Sequence, residues 1–179
     1  LIQKRHTDVH ILIVGDESAI RTHKAFPAID GGRIRIRHTT QVVAMDEAPA
    51  AVLRHKTDSS MWKAIEAVRD GDAQACVSAG NTGALMASSR YILKMLPGIS
   101  RPAICAVVPS RGGHVHWLDL GANVDAKPEQ LVQFAVMGSE LVKAVDEKPR
   151  PIVGLLNIGE EAIKGNDIVK ETSKLLEQT

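Results

Sequence analysis

Aromatic side chains are scarce, at 3% of the 179 residues. That disfavours a module that reads nucleic-acid bases by stacking them on rings. Neither sign of charge dominates. There are 22 basic and 21 acidic residues for a formal net charge of +1, so no broad field supports a DNA or RNA partner. Cysteine is nearly absent. Cys76 and Cys105 each sit in an apolar run, with no C-x-x-C pair and no cation beside them. Both read as small buried hydrophobes rather than nucleophiles or disulfide partners. No run approaches the ~20 apolar residues of a membrane span. The opening LIQKRHTDVH lacks the apolar stretch and cleavage site of a signal peptide. The expected compartment is the cytoplasm.

Several motifs are also missing. Neither G-x-x-x-x-G-K-[ST] nor G-x-G-x-x-G occurs, so no standard nucleotide loop is expected. Without a G-x-S-x-G elbow, a Ser-His-Asp hydrolase is disfavoured. The seven histidines are scattered. His114 and His116 can share a strand face, but no third ligand is marked in sequence, so no metal and no other cofactor is expected. Internal repeats and low-complexity linkers are absent.

What is present is aliphatic. Hydrophobic residues reach 44%, enough for a core of Ala, Val, Ile and Leu. That bias favours buried parallel strands covered by helices. VHILIVGD (9–16) and the alternating stretch at Arg33, Arg35 and Arg37 read as strands. The cations of the second, with His38, suit a solvated face near a sheet edge. A short helix or loop starts near Pro49. Asp58 or Ser59 can cap a helix over 60–70 that stops at Gly71, with Met61, Ile65 and Val68 facing one way. AQACVSAG (73–80) reads as a strand, and NTGALMASSRYILKML as a helix stopped by Pro97 and Gly98. AICAVVP and HVHWLDLGAN read as strands. A long helix follows with Pro128 in its first turn and a stripe of Leu131, Phe134, Met137, Leu141 and Val145. RPIVGLLNIGEE (150–161) reads as a last strand, and the chain is helical from about Asp167.

Strand and helix mostly alternate. The expected fold is therefore α/β: an open, mostly parallel twisted sheet with helices on both faces, Rossmann-like in class. The first residue is Leu and the last residues, ETSKLLEQT, read as mid-helix. Both ends look cut, so 1–179 is expected to be a single α/β domain taken from a longer chain.

Three junctions carry glycine and short polar side chains at the ends of these expected strands, where open α/β sheets bind ligands. The first is Ser78-Ala79-Gly80-Asn81-Thr82-Gly83. Asn81 or Thr82 opens a helix there, whose free N–H groups suit an anion such as phosphate. The bland alternative is a capped turn without a ligand. The second runs from Asp119 through Gly121 and Asn123 to Asp125. The third holds Asn157, Gly159, Glu160 and Glu161, then Lys164 and Gly165. They converge if their strands are neighbours. Arg54, Lys56 and Lys164 can supply cations, and Ser59 and Ser60 can donate to phosphate oxygens. Asp119, Asp125, Glu160 and Glu161 can orient those cations or cap turns.

HKTDSSM, VSAGNTGALM, RPA, LDLGANVD, QFAVMGS and LLNIGEEAIKG, in that order, resemble the bacterial phosphate acyltransferases of phospholipid synthesis. The likeness runs from about His38 to the end and is looser before it. The family also has an opening strand with an Asp-x-Met-Gly-Gly-Asp loop that is lacking here, and it continues past Thr179. The resemblance implies a fold akin to phosphotransacetylases and isocitrate-type dehydrogenases. It implies transfer of a long-chain fatty acyl group from acyl carrier protein to inorganic phosphate, giving acyl-phosphate. A homodimer with membrane contact is implied as well.

Phosphate is itself a nucleophile, so this chemistry needs a cationic cradle, positioning and oxyanion donors rather than a Ser or Cys. On that reading, Ser78, Gly80, Thr82, Gly83 and Lys164 take the phosphate or the developing oxyanion. Asn81, Asn123 and Asn157 are candidate donors, and Arg54 and Lys56 are candidates for the phosphate or the acidic carrier. The competing readings are a short-chain phosphotransacetylase using coenzyme A, a dehydrogenase of the related fold, and a truncated, non-catalytic α/β binding domain.

Overall fold

The structure, a computed structural model, describes residues 8–26, 32–159, 161 and 164–178. The chain divides into two compact units, Leu1–Lys94 and Met95–Thr179. The α/β class expected from the alternation holds.

In the first unit, β1 (Ile11–Gly15) pairs in parallel with β2 (Ile34–His38), Ile11 opposite Ile34 and Gly15 opposite His38. Asp16 ends β1 and caps α1 (Glu17–Thr22) by accepting from the Ala19 N–H at 2.8 Å. This short helix was not anticipated, although an Asp followed by Glu is a helix-start signal. On β2, Arg37 pairs with Asp72, and the His38 ring accepts from the Glu17 N–H at 3.1 Å. Arg37 and His38 therefore both have local partners in the unit.

Three helices build the core. α2 is Pro49–His55, α3 is Ser60–Arg69 and α4 is Thr82–Leu93. Ser59 caps α3, and Gly71, with φ +80°, follows its end in the left-handed conformation that glycine adopts freely. Met61, Trp62 and Ile65 on α3, Val52 on α2, and Ala84 and Ile92 on α4 close over one another with Val43. Spacing by four along α4 also buries Ser88, between Ala84 and Ile92. Trp62 meets Tyr91 ring to ring at 5.7 Å. Burying a side chain such as Ile65 contributes roughly 1.5–3 kcal/mol.

In the second unit, β3 (Ala106–Ser110) and β4 (Gly113–Trp117) form an antiparallel hairpin across Arg111 and Gly112. Gly113, which opens β4 just after the turn, has φ +133°, a conformation that glycine adopts freely. α5 (Pro128–Val145) starts at a proline, and the Gln130 side chain accepts from the Lys127 N–H at 2.9 Å. Of its expected stripe, Phe134 is buried while Leu141 and Val145 are exposed. Asn166 caps α6 (Asp167–Leu176) by accepting from the Val169 N–H at 2.9 Å.

Two expected strands are corrected. Residues 73–80 and 150–159 form no ladder among the described residues. Val77 is 97% exposed and Ile152 99%. A buried parallel strand needs paired neighbours on the sheet; an apolar run supplies the side chains but not the partner. The hairpin has the same lesson in milder form, since its segments are strands as expected but pair antiparallel with each other.

Candidate functional site

The first junction sits among three loops of the first unit. Gln41 bridges to Ser59, its side-chain nitrogen donates to the His55 carbonyl at 3.1 Å, and its oxygen accepts from the Asp58 N–H at 3.1 Å. Thr39 Oγ1 donates to the Asp58 carbonyl. These bonds tie segment 39–47 to the start of α3.

Asn81 then ties the same segment to α4. Its Oδ1 accepts from the Ala84 N–H at 3.0 Å, and its Nδ2 donates to the carbonyls of Ala44, Met45 and Glu47 at 3.2, 3.0 and 2.9 Å. The side chain is buried and both ends are committed. Asn81 therefore positions the turn, and its carboxamide has no donor left for a ligand. Ser59 is likewise fully buried: its hydroxyl donates to the Lys56 carbonyl at 2.7 Å and accepts from the Trp62 N–H at 3.3 Å. Lys56 Nζ donates to the Val42 carbonyl at 2.9 Å and pairs with Glu47 at 3.1 Å. The Ala44 N–H and then Lys56 hold the Glu47 carboxyl below its ordinary value.

Some of the first junction remains outward. Ser78 Oγ accepts from the Gly80 N–H at 3.2 Å. Thr82 and Gly83 are exposed in the first turn of α4, where backbone N–H groups lie outside the helix's own ladder. A Cβ on Gly80 would meet Met61 Cε at 3.2 Å, and one on Gly83 would meet Pro49 Cγ at 3.1 Å. Both glycines therefore serve close internal packing. Arg54 is exposed in the last turn of α2, and Ser60 is half-buried at the start of α3.

The second junction is organised by one carboxylate. Asp119 Oδ1 accepts from the N–H groups of Ile104 at 2.7 Å and Ala122 at 3.2 Å. Its Oδ2 accepts from the Asn123 N–H at 2.7 Å and from Asn123 Nδ2 at 3.0 Å. Burial pushes this carboxyl up, but the bonds from Ile104, Asn123 and Ala122 outweigh it and leave it below its ordinary value. Asn123 Nδ2 also donates to the Pro102 carbonyl at 2.9 Å, so its amide hydrogens are engaged within the loop. Asp125 is exposed.

The third junction folds back on itself. Asn157 Nδ2 donates to the Lys164 carbonyl at 3.2 Å, and the Ile158 N–H donates to Asn157 Oδ1 at 2.8 Å. Gly165 has φ +91°, and a Cβ there would lie 2.6 Å from Asn157 Oδ1. Glu161 is brought beside Gly159 and Lys164: a Cβ on Gly159 would lie 2.7 Å from its carboxylate and 3.1 Å from Lys164 Cγ. Lys164 is exposed and makes no ion pair among the described residues. Glu160 and His6 lie outside the described residues.

An apolar cavity of about 1300 Å³ opens beside this turn. Its walls include Trp117, Leu118, Phe134, Val142, Ile152 and Ile158, and Asn157 and Gly159 line it too. The sequence pointed to the polar turn but not to this cavity, whose walls are brought together from the hairpin, α5 and segment 150–159.

Both cysteines are half-buried and free, and burial raises both thiols. Neither has the lowered value of a nucleophile. The structure also supplies what sequence did not mark beside His114 and His116. The Nε2 atoms of both rings lie against Asp146 Oδ2, at 2.9 and 3.0 Å. No helix is long and apolar enough to cross a membrane among the described residues.

The "Fatty acid synthesis protein" family matches residues 1–179. "Phosphate acyltransferase" of Dichelobacter nodosus (strain VCS1703A) is 62% identical over 178 residues, which cover 99% of this chain and 51% of that protein. "Phosphate acyltransferase" of Halorhodospira halophila (strain DSM 244 / SL1) is 57% identical over 174 residues, with 97% and 51% covered. That of Methylococcus capsulatus (strain ATCC 33009 / NCIMB 11132 / Bath) is 56% identical over 178 residues, again with 97% and 51% covered. The chain thus spans about half the length of the curated relatives it matches. Matched along its whole length, the chain belongs to the fatty acid synthesis protein family.

Proposed function

We propose that the protein moves a long-chain fatty acyl group from the thioester of an acyl carrier protein to inorganic phosphate, forming acyl-phosphate for phospholipid synthesis. The observation that carries this reading is the likeness to proteins named phosphate acyltransferase across nearly the whole chain. The apolar cavity of about 1300 Å³ beside a polar turn supports a long acyl chain, since an acetyl group would leave most of it unfilled.

In this reading a phosphate oxygen attacks the thioester carbonyl, the carbonyl oxygen becomes an oxyanion, and the carrier thiolate leaves. The protein's task is to hold the anions and stabilise developing charge. Lys164 supplies a cation for the phosphate or the oxyanion, and Asn157 sets the backbone that carries it. Thr82 and Gly83 supply N–H donors to an anion at the α4 N-terminus, with Ser78 shaping the turn. Ser60 and Arg54 remain candidates for the phosphate or the acidic carrier. Asn81, Asn123, Ser59, Lys56 and Asp119 act by positioning. Organisation as a single α/β domain, a homodimer, and a cytoplasmic location with membrane contact belong to the same proposal.

The test is acyl transfer itself. The protein is incubated with acyl-acyl carrier protein or acyl-coenzyme A, with and without phosphate, and acyl-phosphate is trapped with hydroxylamine. Phosphate-dependent product that prefers the carrier is expected, and Lys164→Ala should cut turnover by ~10²-fold or more. Product from short-chain acyl-coenzyme A alone would replace this reading with a short-chain phosphotransacetylase. No product from either donor, with the protein folded, would overturn it.

A further inference from the structure

We propose that His114, His116 and Asp146 form a binding site for a divalent transition-metal cation of the zinc class, which pins the β3–β4 hairpin to the C-terminal end of α5. The site lies within the second unit, and its three residues also line the apolar cavity described above; the proposal does not depend on the acyl-transfer reading. Its first two donors follow from strand geometry. Residues two apart on β4 project from the same face, and the two rings meet edge to face at 5.3 Å. The third comes from the residue that ends α5. Asp146 is anchored there by its own N–H, which donates to the Val142 carbonyl at 3.0 Å.

The three donor atoms all lie within 4.8 Å of one another, with both imidazole Nε2 atoms against one carboxylate oxygen at 2.9 and 3.0 Å. Zinc held at ~2.0–2.1 Å by tetrahedral ligands spaces them roughly 3.3 Å apart. The two nitrogen–oxygen spacings need only a few tenths of an ångström, and the widest separation would close by up to about 1.5 Å through side-chain rotation to admit a cation. The helix C-terminus also favours positive charge.

Burial is graded across the set. His116 and Asp146 have 8% and 13% of their side chains exposed, and His114 has 41%. Two donors are held inside and one faces solvent, leaving a fourth position for water, as in open three-ligand sites. Ligation through His116 Nε2 places that ring's proton on Nδ1, which lies 4.0 Å from Cys105 Sγ. Lys148 and Arg150 line the same cavity and oppose a cation. The two imidazole donors with one carboxylate point to zinc, cobalt or nickel rather than to calcium or magnesium.

The test is titration of the tag-free protein with Co²⁺, read by visible d–d bands, followed by displacement with Zn²⁺. One saturable equivalent is expected, with a rise in the thermal midpoint on adding Zn²⁺. His114→Gln and Asp146→Asn should each weaken binding ~10-fold or more, while His55→Gln leaves it unchanged. His114→Gln is the decisive variant because that ring faces solvent, and circular dichroism checks that both variants fold. No saturable binding, or binding unchanged in folded His114→Gln and Asp146→Asn, would overturn the proposal.

Discussion

The two units are built to different degrees of closure. In the first, Val52, Trp62, Ile65, Ala84 and Ile92 are shut away from water, and the polar groups among them are paired, apart from the buried hydroxyl of Ser88. In the second, Phe134 is the buried hydrophobic residue among those described, while Ile152, Leu156 and Ile158 stand largely in solvent around a cavity. The first unit supports a turn whose side chains already have partners. The second keeps its apolar surface available and carries the exposed Lys164.

That contrast can be broken most forcefully in the cores. Ile65→Ala should cost about 2–5 kcal/mol, whereas Ile152→Ala should stay within about 0.5 kcal/mol. Trp62 and Trp117 are the two tryptophans, one in each unit. Urea unfolding of a Trp117→Phe background reads the first unit alone, and Trp62→Phe the second. Equal losses from the two isoleucine variants would remove the distinction.

Next in size is Asn81. Asn81→Ala loses a helix cap and leaves three carbonyls short of a donor, for roughly 2–4 kcal/mol. Asn81→Asp keeps the cap and loses the amide donors, so it should fall between Ala and wild type in the same unfolding measurement.

Gly165→Ala should cost about 1–3 kcal/mol, since a Cβ at φ +91° would collide with Asn157. Its mark is local: faster amide exchange over 157–166 with α3 unchanged.

The smallest effect is pH-dependent. The folded Asp119 carboxyl lies below its ordinary value, so its stabilisation is present above the unfolded pKa and fades as pH falls through the folded one, below about pH 4. Asp119→Asn should cost roughly 1 kcal/mol at neutral pH. The gap to wild type, read from urea midpoints, should close in acid.

Much of the local structure was readable. The starts of α2, α3, α4 and α5 are written in Pro49, Ser59, Asn81 and Pro128, because a cap or first-turn proline acts within a few residues. β1 was readable from its short apolar run and β2 from the alternation of arginine with isoleucine. The site was only partly so. Lys164, Asn157 and the 78–83 turn were singled out by composition, yet Asn81 and Asn123 look the same in sequence whether they face a ligand or hold a loop. What their amides bond is set by partners 34–37 residues away for Asn81 and 21 for Asn123.

The chain's own pattern settled helix boundaries, class and the absence of a membrane-length apolar run, since these depend on neighbours in sequence. Tertiary structure alone decided that 73–80 and 150–159 lack strand partners, that an apolar cavity opens beside Asn157 and Gly159, and that Asp146 meets two histidines from about 30 residues away. Ladders, cavities and converging donors are made by contacts between distant segments, and a local pattern supplies only one side of each.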